Sequence, residues 1–505
     1  MEWTKNQLQA IETRNKNILV AAAAGSGKTA VLVERIIRLI VEEKIDLDKL
    51  LVVTFTNAAA SQMREKILEA IYKKLEENPQ NVRLQKQIVL MNKASISTIH
   101  SFCLEVIRNY FYEIDISANF RIGDDSEVEL LRQETLLDLF EEKYEENDKE
   151  FNLLLDCYTD YHGDEKLAEL VLKIYKFIQS MPFPEEWLEK QVKVLKDLDE
   201  NEDFSNTMWG KILIENLKET LENVLDEYLI LKSDLKKYTE LEKYYVFICD
   251  EIDKISNIKN MCNLWEEIGN CNSTLTFPNW PTDKKVTLEI KEVAHKRRED
   301  LKKKVKDALS YFASYSSKDA IQDIATMGEV MEALKNLVIE FSNKYSQKKK
   351  EKNIIDFNDI EHLALKILVR KNENAGYERT EVAKFYASRF EAIAIDEYQD
   401  SNQIQEYLLS TVSRDNNIFM VGDVKQSIYK FRQAMPELFI SKYISYPKLE
   451  ERSNANNVKI QLFKNFRSRK NILDITNTIF ENIMTQKLRG YRLYRRRIFK
   501  SWSKI

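Results

Sequence analysis

Residues 20–32 read VAAAAGSGKTAVL, and Gly25, Ser26, Gly27, Lys28 and Thr29 within them are residue types that hold a phosphate chain. Glycines let backbone amides close around an anion, a lysine adds a cation for the β- and γ-phosphates, and a threonine hydroxyl can bind Mg²⁺. Ala24 through Ala30 are therefore expected to cradle a nucleotide. The pattern departs at its first position, where Ala22 stands in place of the usual glycine. A small residue suffices there if its backbone angles are ordinary. Further on, AIAIDEYQDS (392–401) delivers two adjacent carboxylates to the end of an apolar run. Asp396 is placed to hold Mg²⁺ together with Thr29, and Glu397 to take the proton from an attacking water. After a buried strand, two such charges are costly without a metal or a partner. In VGDVKQSIYKFR (421–432), Gln426 can bond both a γ-phosphate and that water. Tyr429 and Phe431 beside Arg432 suit stacking on the bases of a single strand. The plain alternatives are a solvated turn for the carboxylates and core packing for the aromatics.

These groups need a scaffold that brings distant segments together. NILVAAA, LLVVTFT and AIAI are short apolar runs, each ending in polar or small residues, and helical periodicity follows each of the first two. Asn57 is a candidate N-cap for the helix that follows LLVVTFT. NIFMVGD and VKIQLF repeat the theme near the other end. Strands alternating with helices imply a parallel α/β sheet whose sites lie at the strand C-terminal ends. Between about 110 and 385 the texture changes to Lys- and Glu-rich helical text, which reads as an insertion. The basic run SQKKKEKN (346–353) reads as a solvated helix end, with nucleic-acid contact as its alternative.

Composition narrows the class. Of 505 residues, 31% are charged, while only 10 are glycine and 7 proline, a balance that favours long helices. The net charge of −5 gives no global attraction for nucleic acid, so any such surface must be a local groove. The five cysteines form no C-x-x-C pair and the four histidines are scattered, so no metal-site spacing exists; reduced thiols are expected. Residues 1–20 lack the pattern of a signal peptide, and no apolar run reaches the roughly 20 residues needed to cross a bilayer. The chain reads as cytoplasmic.

Taken in order, WTKNQ, AAAAGSGKT, VTFTNAAASQMREKI, STIHSF, AIDEYQDS, VGDVKQSIYKFR and LFKNFRS resemble the motif set of superfamily 1 DNA helicases of the UvrD/RecB kind. SQMREKI, STIHSFCLEVIRNYF and KQSIYKFRQAMPELF are most similar to the AddA type, the helicase-nuclease subunits of bacterial AddAB. The resemblance runs from residue 1 to about 487. It implies a RecA-like P-loop NTPase domain interrupted by a helical insertion, with ATP and Mg²⁺ as cofactors. Gln7 would read the adenine edge and Phe466 stack on its face. Phe55, Thr56, Asn57 and His100 would lie along DNA, Tyr429 and Phe431 would press against bases, and Arg467 would reach the γ-phosphate. Without the resemblance, His100 reads as a core histidine. Asp356 and Phe357 in DFNDI also match a family segment. The implied partners are single-stranded DNA and duplex ends, and an AddB-type subunit.

The expected layout is a first motor domain over 1–110 and 386–434, an insertion over 111–385, and the start of a second motor domain over 435–487. The last 18 residues, 488–505, hold seven Lys or Arg and no acid. They read either as a non-native end to a truncated frame or as a basic arm. A motor with one complete cleft wall is expected to bind ATP but hydrolyse it weakly. Three competing readings remain: an ATP-dependent single-strand-binding module without motor activity, a simpler UvrD-type repair helicase, and a small-molecule phosphotransferase.

Overall fold

Six strands pair into one sheet: β1 (Asn17–Ala22), β2 (Leu50–Thr54), β3 (Ser95–Thr98), β4 (Ala392–Ile395), β5 (Ile418–Gly422) and β6 (Asn457–Leu462). The computed structural model describes residues 2–159, 163–199, 202–282, 289–372, 376–451 and 454–483. Spatial order is β6-β1-β5-β4-β2-β3, with every pairing parallel. The central strands are apolar at nearly every position because helices cover both faces. Alternate residues divide between two cores. Leu19, Ala21, Leu51, Val53, Ile393 and Ile395 face Phe102, Val106, Ile360, Leu365 and Leu408. Ile18, Val20, Ala22, Leu50, Val52 and Val421 face Val31, Leu32, Ile36, Met63 and Ile67 on the opposite side. The latter residues come from α2 (Lys28–Val41) and α3 (Asn57–Glu77), which follow β1 and β2. Ahead of β1 lies α1 (Lys5–Glu12), which adds Ala10 and Ile11 to that core.

The chain divides into two units, one of residues 1–145, 168–185 and 338 onward, the other of 146–167 and 186–337. The sheet lies in the first. The second is helical, built on Met208–Leu235, Glu242–Met261, Trp265–Thr274 and Glu289–Ala313. Inside its core a fully buried ion pair joins Arg298 to Glu251, and Tyr228 Oη donates to the same carboxylate at 3.1 Å.

Several expectations change. The insertion is smaller than 111–385, because Ile355, Ile360, Ala364, Leu368, Ala383 and Tyr386 pack in the sheet core. An amphipathic helix reads the same whether its apolar stripe meets a sheet or another helix. Residue 435 is not where the first sheet ends: β6 pairs in register with β1 from Asn17↔Asn457 to Ala22↔Leu462. Thr56, not Asn57, caps α3, its Oγ1 accepting from Ala59 N at 3.1 Å. In SQKKKEKN, Lys349 is buried between Asp356 (3.1 Å) and Asp359 (2.6 Å), Lys348 pairs with Asp138, and Lys350 lies 2.7 Å from Asp115. Apart from buried Lys349 and half-buried Lys348 the run is an exposed helix end, as the solvated reading expects, and Lys348, Lys349 and Lys350 each have a carboxylate partner. The tail 488–505 lies outside the described residues. No described helix is long and apolar enough to cross a membrane.

Candidate active site

Every strand of the sheet points its C-terminal end toward one edge, and the chemistry-bearing residues follow those ends. Ala22 closes β1 opposite Leu462, fully buried and without positive φ, so the glycine usual there is not needed. The turn is made by Gly25 (φ 69°) and Gly27 (φ 83°), whose left-handed backbone disfavours a side chain. A Cβ on Gly25 would also sit 2.8 Å from Asn465 Nδ2. Three successive loop carbonyls are held: Ala24 O accepts from Asn465 Nδ2 at 2.7 Å, Gly25 O from Phe466 N at 2.8 Å, and Ser26 O from Gln7 Nε2 at 3.1 Å. A capping box with Thr4 fixes Gln7, which is only 5% exposed. Lys28 opens α2, with Thr29 and Ala30 half-buried in a first turn that contains no acid. Such a helix start favours an anion. Ser26 Oγ is buried with no hydrogen-bond partner among the described residues, a spare polar atom within the loop itself.

β4 is hydrogen-bonded onward through Asp396 N to Val53 O at 2.9 Å, and the chain then turns sharply. Glu397 adopts φ 50°, ψ 44°, a left-handed conformation uncommon for a residue with a side chain. That turn brings Glu397 Oε2 to 2.7 Å from Lys28 Nζ. Burial, followed by the neighbouring Glu397 charge, raises the Asp396 pKa against the pull of Lys28. Burial and the same charge push Asp400 up to about 6. Gln399 Nε2 donates to Glu397 Oε2 at 2.9 Å and to Asp400 Oδ2 at 3.1 Å, while its Oε1 accepts from Asp423 N at 2.9 Å. Asp423 in turn accepts from Gln426 Nε2 at 2.8 Å. No cluster of three or more His, Cys, Asp or Glu side chains placed to hold a metal is present among the described residues. A carboxylate and a hydroxyl are hard oxygen donors of the kind Mg²⁺ takes, one or two from protein with phosphate and water completing its shell. Asp396 and Thr29 would be those oxygens.

A second surface lies at the ends of β2 and β5. Phe55 and Tyr429 have ring centroids 4.5 Å apart, Tyr429 and Phe431 5.9 Å, and the Arg432 guanidinium lies 5.6 Å from the Tyr429 ring. Phe431 is 73% exposed, so this cluster is not core packing. Thr56 and Asn57 are exposed beside it in sequence. His100 stacks on Phe357 at 4.0 Å, and its Nε2 lies 3.3 Å from Glu361 Oε1. Burial lowers the His100 pKa to about 4 and raises Glu361 to about 7. Asp356, beside Phe357, is a buried helix cap paired to Lys349.

The profile of the UvrD/REP helicase N-terminal domain matches residues 3–447. The chain belongs to the UvrD/REP helicase family. Among curated relatives it is 43% identical over 500 residues to an ATP-dependent helicase/nuclease subunit of Clostridioides difficile (strain 630). It is 45% identical over 495 residues to the counterpart from Thermoanaerobacter pseudethanolicus, and 44% over 497 to that from Clostridium beijerinckii. Each alignment covers 96% of this chain but only 39–40% of the relative, so the chain spans about two fifths of their length.

Within this UvrD/REP chain the structure brings Gln7, the Ala24–Ala30 loop, Lys28, Asp396, Glu397 and Phe466 to one strand-end edge. Gln426 joins through Asp423 and Gln399. Gln7 directs its amide nitrogen at the loop, and the Phe466 ring is 53% exposed with the Lys464 ammonium 5.4 Å from its centre. Arg467 is exposed, and among the described residues no ion pair links it to Asp396 or Glu397. Sequence reasoning missed Gln399, Glu361 and Asn465. Gln399 and Asn465 lie inside AIDEYQDS and LFKNFRS, but Glu361 looks like one more helical acid.

Proposed function

We propose that this chain is the ATP-binding motor portion of a DNA helicase subunit that translocates 3′ to 5′ and serves double-strand break repair and recombination. The observation that carries the reading is the 2.7 Å approach of Lys28 Nζ to Glu397 Oε2, which joins the phosphate loop to the carboxylate of a different strand. The loop amides and Lys28 would bind the ATP phosphates. Bound Mg²⁺ would neutralise charge on the β- and γ-phosphates, held by Thr29 and Asp396. As a γ-phosphate draws the Lys28 ammonium, Glu397 is released to accept a proton from water, with Gln426 orienting it. Phe55, Tyr429 and Phe431 would stack on bases of the tracked strand. The polarity and an AddB-type partner rest on the resemblance. The relatives are named as helicase/nuclease subunits, which supports work beside a nuclease activity.

We expect the chain to bind ATP through the loop amides and Lys28. A second reading, a nucleotide-dependent single-strand-binding module, is favoured by the aromatic cluster of Phe55, Tyr429 and the exposed Phe431. Steady-state ATPase with and without single-stranded DNA, beside Glu397→Gln, tests both. Strong DNA-stimulated turnover lost in Glu397→Gln supports the motor, DNA binding with little turnover supports the module, and the absence of ATP binding overturns both.

A further inference from the structure

Between the carboxylate turn and the aromatic surface stands a single buried amide. Gln399 is 1% exposed, and both ends of its side chain are engaged. Its nitrogen holds Glu397 and Asp400, and its oxygen holds the backbone of Asp423. From Asp423 the contacts pass to Gln426 and Lys425 and then along the chain to Tyr429 and Phe431. The backbone is tied as well: Ser427 Oγ donates to Gln399 O at 3.4 Å. Gly422 makes room for this arrangement. A Cβ there would lie 2.5 Å from Gln399 Oε1 and 3.0 Å from Phe439 Cε2, although no positive φ demands a glycine. The absent side chain thus serves the amide's close approach, not a turn.

We propose that Gln399 is the positioning residue through which the nucleotide-facing carboxylate and the base-stacking loop sense one another. The proposal rests on the functional reading above. A shift of Glu397 on nucleotide binding must lengthen or redirect the Gln399 Nε2 bond, because the other end of the amide is fixed to Asp423 N. The amide can follow Glu397 only by pulling on the backbone at the start of the 423–432 loop. Asp400 offers a second acceptor on the same nitrogen, and its Oδ1 is buried without a partner among the described residues. The nitrogen's two N–H groups are engaged at once, one on Glu397 and one on Asp400, so withdrawal of Glu397 by a nucleotide would leave the amide held by Asp400 alone at that end. Any such coupling is reciprocal: DNA on the aromatic loop must alter nucleotide affinity by the same factor.

The test measures that factor directly and needs no turnover. Fluorescence anisotropy gives the Kd of the 505-residue chain for a labelled oligothymidylate, with and without saturating Mg²⁺ and a non-hydrolysable ATP analogue. The ratio of the two is the coupling, which for linked sites is typically about 5- to 150-fold. Gln399→Met keeps the volume and removes both hydrogen-bonding ends. Gly422→Ala attacks the same contact from the other side and leaves Gln399 in place. The expected result is a ratio that falls to about 1 in both variants, with each ligand's separate affinity within about threefold of wild type and melting still cooperative. Variants that keep the wild-type ratio, or lose both affinities in parallel with the ratio unchanged, overturn the role of Gln399. A wild-type chain that binds both ligands with a ratio of one overturns it too. A wild-type chain that binds neither overturns the functional reading itself.

Discussion

Changing Glu397 to Gln should move affinity and turnover in opposite directions. Glutamine keeps the shape of the side chain, tolerates the same left-handed backbone, and retains an oxygen to accept from Gln399. What it removes is one negative charge 2.7 Å from Lys28. The two side chains are 12% and 37% exposed, so water screens the pair and its worth is that of a half-exposed bridge, about 0.2–1 kcal/mol. Freed from that bridge, Lys28 gives the same amount to an incoming γ-phosphate, and the Kd for ATP should tighten by about 1.4- to 5-fold. Removing a general base should meanwhile lower turnover by about 10²–10⁴. Titration with a fluorescent ATP analogue and steady-state ATPase at saturating ATP read the two effects separately. Turnover within tenfold of wild type would mean another group takes the proton. A Kd several-fold weaker would mean that Glu397 organises the loop and does not compete for its lysine.

Other expectations follow from the same geometry. Tyr429→Ala and Phe431→Ala should each weaken single-strand binding by about 1–3 kcal/mol, read by anisotropy, with ATP affinity unchanged; equal DNA affinity would remove base stacking from the account. Lys349→Met leaves buried Asp356 and its neighbour Asp359 without their shared cation, and should cost about 3–5 kcal/mol in urea unfolding. A loss below about 1 kcal/mol would show that the carboxylates take protons instead. Glu361 is raised to about 7 from its ordinary 4.5, so the folded chain keeps a proton that the unfolded chain releases, and stability falls as pH rises between those values. His100 and His362 are lowered to about 4 by burial and act in the opposite sense, adding stability as pH rises toward 6.5. Glu361→Gln deletes the first trend alone, so its Tm relative to wild type should climb from pH 4.5 to 7 and then level off. A difference that is constant with pH would place the Glu361 pKa near its ordinary value.

The strand-end chemistry was legible because local rules write it. Apolar runs with both faces buried stand out, and a parallel sheet must send their C-terminal ends to one edge, so Lys28, Asp396 and Gln426 could be grouped before any geometry was known. Partition of the helices was not legible. Phe357–Leu368 and Met208–Leu235 carry the same kind of apolar stripe, yet one covers the sheet and the other belongs to the helical unit. β6 reads as a strand in the sequence, but the resemblance assigns it to a second motor domain, and only its in-register pairing with β1 returns it to the first sheet. Glu361 and Lys349 were hidden for a different reason. Their roles depend on partners brought close by folding: His100 is 261 residues from Glu361 in sequence, and Asp356 counts as a partner of Lys349 only once both are buried.

The three held carbonyls of the phosphate loop have a consequence for how it meets its ligand. In a planar trans peptide the N–H points opposite to the C=O. Fixing the oxygens of Ala24, Gly25 and Ser26 therefore fixes the directions of the amides that follow them, and no peptide flip is required when an anion arrives. The reorganisation that a floppy glycine loop would undergo on binding has already been done by folding. Two of the three clamps come from Asn465 and Phe466, just beyond β6, and the third from Gln7, ahead of β1. The loop is thus set from both ends of the domain's chain, and a strain that loosens either end would be felt first as a loss of grip on phosphate.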